Sequence, residues 1–266
     1  MKYIKYFFEF LFSIFFFIFF KIIGPKQSSD VSGKIFEIIG PFFRSKKVIN
    51  KNISFAFSKS DIEFRKNTIN KMWKSYGKIF AEYSFIRYFR ENKSEKFLEI
   101  KGQEILEKIR LSKEPVIFIS GHFDNFELMA MHIEKSGIDI AAIYRPLNNY
   151  FLNPFMENIR KKYICRKQIK KGISGTKEIL KHFKSGTSIA LMIDQRVSEG
   201  EKINFFGREA LTTTLPAQLA IKYNLDIVPV YIERTKNNNF LIEFQKPVSQ
   251  KNFKNKLELS KELNKI

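Results

Sequence analysis

The chain has 266 residues, a mass of 31.5 kDa and a formal net charge of +20, and its length predicts one large or two small domains. Hydrophobic residues make up 44% of it, which excludes a disordered chain, because disordered chains lack the apolar surface that offsets the entropy of ordering. The single cysteine, Cys165, excludes a disulfide framework, and no cluster of Cys and His is available for a structural zinc ion. The excess of Lys and Arg over Asp and Glu predicts an acidic partner, which is nucleic acid, anionic lipid or an acidic carrier protein.

Residues 1–25 form a predicted membrane anchor, a transmembrane helix. Residues 6–23 are apolar apart from Glu9 and Lys21, and a helix of that length spans roughly 27 Å, close to the thickness of the hydrocarbon core. A cleaved signal peptide is disfavoured because no small-x-small cleavage site follows, whereas a helix lying in the interface stays open as an alternative. The positive-inside tendency predicts that the basic remainder of the chain faces the cytoplasm.

The remaining residues, 26–266, are predicted to form one domain, which has a helical region followed by an α/β region. Residues 26–98 are predicted to be helical, with a capping-box spacing from Ser60 to Glu63 and apolar residues every three or four positions from Ile69 to Tyr83. Residues 99–266 alternate strands and helices, which predicts an α/β fold with a mixed sheet flanked by helices. The predicted strands are 115–120, 139–144, 188–193, 226–233 and 239–245, and the predicted helices between them are 124–135, 176–184 and 214–223.

The candidate catalytic group, His122, directly follows Gly121 at the end of the first predicted strand of this region. Open α/β sheets place their sites at the carboxyl edge of the strands. Glu127 follows five residues later, so its carboxylate is predicted to reach one imidazole nitrogen and to leave the other facing the crevice. Asp124 is a rival carboxylate in the same loop, and capping of the next helix is the alternative role for it.

Other catalytic classes are not supported. The chain has no Gly-x-Ser-x-Gly nucleophile elbow, no Gly-rich dinucleotide fingerprint and no P-loop. His132 and His182 lie on amphipathic helical patterns and are predicted to be surface residues. Nucleic-acid binding is not expected, because no reading module is present and the aromatic residues fall at core or membrane spacing.

Residues 121–127 (GHFDNFE) resemble the signature of the lipid A biosynthesis acyltransferases, the lauroyl/myristoyl acyltransferases of bacterial lipopolysaccharide. The resemblance covers nearly the whole chain, since further stretches match the family in the same order. These stretches are residues 52–57 (NISFAF), residues 144–146 (YRP) with Asn148 and Asn149, Arg160, Asp194 with Gln195, and residues 205–207 (FFG) followed by Ala210, Thr212 and Ala217.

This resemblance implies transfer of a fatty acyl chain from acyl carrier protein to a hydroxyl of a lipid A precursor, without a cofactor or a metal. It also implies a glycerolipid-acyltransferase-like fold, with His122 as general base and Glu127 as its orienting partner. The tetrahedral oxyanion of the reaction needs a positive or hydrogen-bonding partner. Arg145 and Arg160 are candidates for that role or for binding substrate phosphates, and both roles stay open. The implied substrate-binding residues are Asn125, Arg145, Arg160, Asp194 and Gln195.

Residues 159–184 carry ten Lys and Arg against one acid, Glu178. A solvated helix face is the simplest explanation of such a run. The excess of one sign also favours attraction of an acidic carrier protein, an anionic glycolipid or an anionic membrane leaflet. These three are therefore the predicted partners of the chain.

Three alternatives to this function remain. Related acyltransferases of phosphatidylinositol mannosides share the His-x4-acid layout, so another glycolipid is an alternative acceptor. The family's pattern continues to a Trp-x-His-Arg-Arg-type segment that this sequence does not contain, and Asp124 and Arg196 depart from the family's usual residues. A catalytically inactive, membrane-bound lipid-binding paralogue therefore stays an alternative. The third is a basic membrane-attached protein that binds an anionic polymer without chemistry.

Overall fold

The computed structural model describes residues 2–91 and 97–266 and divides into two compact units. The first unit ends at Phe89 and the second begins at Arg90. The first unit is helical, and its elements are α1 (Lys2–Ile23), α2 (Pro25–Ile39), α3 (Lys46–Ala56), α4 (Ile62–Glu82) and the start of α5 (Ile86–Glu91), with short 3₁₀ turns at Gly40–Phe42 and Tyr83–Phe85.

Helix α1 has 22 residues and a length of about 33 Å, enough to cross a hydrocarbon core of about 30 Å. Within residues 2–91 and 97–266 it is the one helix that is long and apolar enough to do so, by length and composition alone. Most of its large side chains are exposed, and Phe8 and Phe15 are each 63% exposed. Phe17 and Phe20 are buried, and their rings contact that of Phe80 on α4. The end of this helix is thus fixed to its own unit, while the rest presents an apolar surface.

Small residues bring α2 and α4 close together. A Cβ atom on Gly77 of α4 would lie 2.3 Å from the backbone oxygen of Ser32, and the Ser32 hydroxyl donates to the Gly77 carbonyl at 2.7 Å.

Helix α4 begins one residue later than the capping-box spacing predicted. The Asp61 carboxylate accepts from the backbone N–H of Phe64 at 2.7 Å, so Asp61 rather than Ser60 is the N-cap.

The second unit contains the predicted α/β fold, with helices flanking a mixed sheet. Over the described part of this unit, seven strands form that sheet in the order β1-β9-β8-β2-β5-β3-β4, and β6 pairs with β7 in a separate hairpin. The strands are β1 (Leu98–Lys101), β2 (Ile117–Ser120), β3 (Ile140–Tyr144), β4 (Lys167–Lys170), β5 (Ser188–Met192), β6 (Glu201–Phe205), β7 (Arg208–Thr212), β8 (Ile227–Arg234) and β9 (Phe240–Phe244). The helices are α6 (Gln103–Ser112), α7 (Glu127–Lys135), α8 (Leu152–Ile159), α9 (Ile173–Lys184), α10 (Leu215–Tyr223) and α11 (Lys256–Leu263).

The five strands β8, β2, β5, β3 and β4 are parallel, whereas β9 runs antiparallel to β8. The loops that follow the parallel strands therefore leave the sheet at one edge. At the centre, Ile117 pairs in register with both Ile189 and Ile227, and all three side chains are fully buried. This arrangement places the loops after β2, β5 and β3 next to one another, above a rigid apolar core.

Candidate active site

His122 and Asp194 come together because their strands are neighbours. His122 follows β2, Asp194 follows β5, and the two strands pair in parallel up to Ser120 and Met192. The Asp194 carboxylate accepts from the backbone N–H of His122 at 2.9 Å through Oδ2 and contacts the ring Nδ1 at 2.8 Å through Oδ1. Two bonds from one carboxylate fix both the loop and the plane of the imidazole.

The same contact affects the pKa of Asp194 and the tautomer of the imidazole. Burial alone would raise the pKa of Asp194, but hydrogen bonds from the His122 ring and backbone outweigh burial and lower that pKa. An ionised carboxylate only accepts, so the proton of a neutral imidazole lies on Nδ1 and the lone pair lies on Nε2. The amide nitrogen of Gln195 can donate to this lone pair at 3.4 Å, and the Phe126 ring meets the imidazole edge-on with 4.9 Å between ring centroids. In this tautomer Nε2 presents the lone pair that a general base requires.

The structure corrects the expected role of Glu127 as partner of the ring. Glu127 begins α7, and its Oε1 atom accepts from Nε of Arg160 at 2.9 Å and lies 2.7 Å from Nη2 of the same guanidinium. The two side chains are 9% and 12% exposed, so they form a buried ion pair. Arg160 can reach Glu127 because α8 continues into a π-helical turn, Arg160–Ile164, which packs against α7. The carboxylate on the imidazole is that of Asp194, from the neighbouring strand.

Asp124 has neither of its two predicted roles. Its backbone adopts a φ of +32°, and Phe126 rather than Asp124 is the N-cap of α7. The Asp124 carboxylate accepts from the backbone N–H of Arg234 at 2.8 Å and lies 3.6 Å from Nε of that residue. Asp124 thereby connects the loop after β2 to the end of β8, the other neighbour of β2.

His122 faces a cavity of about 420 Å³ at the carboxyl edge of the sheet. The polar residues at this cavity include five that the sequence singled out: His122, Glu127, Arg145, Arg160 and Gln195. Two of the predicted substrate contacts do not line it: Asn125 is only 1% exposed, and Asp194 lies behind the imidazole of His122. Lys171 and Arg196 line the cavity as well and were not selected from the sequence as site residues. The mouth is therefore strongly cationic, which suits an anionic ligand.

The inner part of the cavity is apolar and lies between the sheet and α7. Ala142, Ala190 and Phe118 form one row across β3, β5 and β2, and all three line the cavity. Opposite them, α7 contributes Ala130 and Ile133. Small side chains in central strands leave open space here, since Ala142 and Ala190 are only partly buried. A recess thus extends about 7 Å below Ser120, by the rise of two residues in a strand.

The Arg160 guanidinium has a further contact beside Glu127. It lies over the ring of Tyr144, with its carbon 5.7 Å from the ring centroid. Tyr144 also lines the cavity, and burial raises the pKa of its phenol, which stays neutral. Arg160 is therefore held as a preorganised positive charge at the edge of the cavity.

Three comparisons with known proteins bear on the family of the chain. The family model described as bacterial lipid A biosynthesis acyltransferase matches residues 1–266. A search of curated proteins gave no significant match. Among solved structures, the chain is similar to the crystal structure of the 1-acyl-sn-glycerophosphate (LPA) acyltransferase PlsC from Thermotoga maritima, at 14% identity and a TM-score of 0.40, over 91% of this chain and 94% of that one. By the family match over its whole length, the chain belongs to the bacterial lipid A biosynthesis acyltransferases.

Proposed function

We propose that this protein transfers a fatty acyl group from acyl carrier protein to a hydroxyl of a lipid A precursor, at the cytoplasmic face of the inner membrane. The observation that carries the proposal is the imidazole of His122, which is fixed by Asp194 and has its Nε2 atom directed at a cationic cavity with an apolar floor. The membership of the chain in the family supports acyl transfer as the reaction.

In the proposed reaction, Nε2 of His122 takes the proton of the acceptor hydroxyl as its oxygen attacks the thioester carbonyl carbon. Asp194 stabilises the imidazolium that forms. The tetrahedral intermediate carries an oxyanion, for which Arg160 is the best-positioned cation because Glu127 and Tyr144 hold it. The carbon–sulfur bond then breaks, and the imidazolium returns its proton to the departing thiolate.

The acyl chain is proposed to lie in the recess between the sheet and α7, since that part of the cavity is apolar. The phosphates of the donor arm or of the acceptor then remain at the mouth, near Arg145, Lys171 and Arg196. No cofactor takes part in this proposal, because the thioester already supplies an activated acyl group.

The acidic carrier protein is proposed to approach the basic segment 159–184. Several of its cations are exposed on the π-helical turn and on α9, and Glu178 is the one acid in the segment. These cations are Lys161, Lys162, Lys177, Lys181 and Lys184. Such a surface accelerates association with an acidic partner, and the acceleration falls as ionic strength rises.

The first experiment is mass spectrometry of lipid A from cells with and without the gene. We expect loss of the gene to remove the mass of one acyl chain, and the wild-type gene but not His122→Ala to restore it. An unchanged lipid A with a change elsewhere in the glycolipid pool would favour a phosphatidylinositol mannoside or another acceptor. No change in any glycolipid would favour an inactive paralogue.

The recess predicts how bulk at position 190 changes the choice of acyl chain. In the series Ala190→Gly, wild type, Ala190→Val and Ala190→Leu, the preferred chain is expected to become shorter with each added carbon. Each methylene that no longer fits costs about 0.8 kcal/mol of burial, or about fourfold in kcat/KM for the longer donor. The measurement is competition between acyl carrier proteins loaded with chains of different length. Equal losses for all chain lengths would place the acyl chain elsewhere.

A further inference from the structure

The hairpin β6–β7 ends in a turn that does not suit its first residue. Phe205 pairs with Arg208, so the loop consists of Phe206 and Gly207 alone, and these have φ angles of +51° and +74°. Two positive φ values define a type I′ turn, for which Asn-Gly or Gly-Gly is the preferred sequence. A bulky residue in the left-handed region is strained, and such strain persists at positions with a function.

The side chain of Phe206 is also unfavourably placed for a protein in water. It is 62% exposed and meets the ring of Phe205, which is 39% exposed, edge to face at 4.7 Å. Strain and exposure together disfavour phenylalanine at this position, because the contact with Phe205 leaves most of the Phe206 ring in solvent. Both costs are offset if the ring packs against an apolar phase outside the chain.

The tip lies beside the candidate active site. Phe205, Phe206 and Asp194 line one apolar cavity of about 390 Å³, together with the stacked rings of Phe123 and Tyr231. The Asp194 carboxylate contacts the imidazole of His122, so the tip lies at the edge of the sheet where the reaction is proposed to take place. A bilayer in contact with this tip would therefore hold a lipid acceptor close to the proposed reaction site.

We infer that Phe205 and Phe206 form an interfacial anchor, which inserts into the headgroup–acyl boundary of the bilayer that carries the acceptor. The charge of the chain fits this partner, because a net +20 and the cations Arg145 and Arg196 at the neighbouring cavity are attracted to anionic lipids. Aromatic rings with adjacent cations are typical of elements that lie at this boundary. The acceptor's identity rests on the proposed function, but the contact with lipid is measurable without turnover.

The direct test is a tryptophan at the tip. The chain has one tryptophan, Trp73, which is 7% exposed and supplies a constant background to subtract. The full-length Phe206→Trp variant is reconstituted in vesicles of zwitterionic and anionic phospholipid, with and without brominated acyl chains. We expect blue-shifted emission that the bromines quench. The matched control is Leu111→Trp, at a residue of α6 that is 70% exposed, and its emission should stay unquenched. Equal, unquenched emission from both variants would overturn the inference.

The functional test is Phe206→Asn, which suits the turn better than the wild-type residue. Thermal stability is therefore expected to stay the same or to rise, so a loss of activity would not reflect misfolding. With the acceptor in vesicles, kcat/KM is expected to fall at least about tenfold, since a buried phenylalanine is lost from the membrane contact. With the acceptor dispersed in detergent, the rate should remain at the wild-type level.

The outcomes separate this inference from the proposed function. Equal rates for Phe206→Asn and wild type on vesicles would exclude the anchor and leave acyl transfer standing. Absence of turnover by the wild type with every acceptor would reject the proposed function, and the tryptophan emission would still decide whether the tip contacts lipid.

Discussion

Replacing His122 by alanine is expected to reduce acyl transfer by about 10²- to 10⁴-fold, the usual contribution of a positioned general base. The imidazole is 35% exposed at the cavity, and its removal deletes the group that accepts the hydroxyl proton. Its backbone N–H still donates to Asp194, so the loop after β2 should keep its conformation. The measurement is a steady-state assay with acylated carrier protein and a lipid A precursor.

His132→Ala provides the matched control for this variant. His132 lies on α7 with its Nε2 atom 3.5 Å from Gln103, away from the cavity, and its replacement should leave kcat within a factor of about two. Membrane association should be unchanged in both variants. Wild-type turnover by His122→Ala would remove the proposed base and the mechanism built on it.

The second large effect is expected for Asp194→Asn. An amide at this position can donate to Nδ1 and thereby favour the tautomer that has its proton on Nε2, where the lone pair is needed. We expect kcat to fall by about 10²- to 10⁴-fold, since a correctly oriented tautomer is required in every turnover. The substitution preserves shape, so KM should change little.

Glu127→Gln is the informative comparison, because sequence proximity favoured Glu127 as the orienting residue. The structure predicts that this change lowers turnover through Arg160, whose charge loses its buried partner. Its effect and that of Arg160→Gln should therefore not add in a double-mutant cycle, whereas Glu127→Gln and Asp194→Asn should combine independently. Non-additivity of Glu127 with Asp194, and additivity with Arg160, would return the orienting role to Glu127.

The sequence predicted His122 correctly as a strand-end residue, because an apolar run followed by Gly121 marks the end of a buried strand. It did not identify Asp194 as the partner of His122. That contact depends on the pairing of β2 with β5, and strand order cannot be read from a single sequence. Glu127 was close in the sequence, but its side chain is directed to Arg160 once α7 has formed. A signal was available, since Asp194 directly follows the predicted strand 188–193.

The missed strands have two physical reasons. β1 (LEIK) and β4 (KQIK) are four-residue edge strands in which charged residues interrupt the apolar pattern. Such short, charged edges limit edge-to-edge association and carry a weak sequence signal. The β6–β7 hairpin was missed because Phe206-Gly207 lacks the Asn-Gly signature of a two-residue turn. The five strands that were predicted are those of the apolar centre and β9, where burial dominates the composition.

The pairing of His122 with a carboxylate 72 positions further along the chain has a consequence for biosynthesis. Parallel pairing of β2 with β5 is non-local, and contacts of this kind form late because loop closure must precede them. A nascent chain that has emerged only as far as α9 contains the imidazole but not the residue that orients it. The order of synthesis thus delivers the imidazole well before the carboxylate that fixes its orientation.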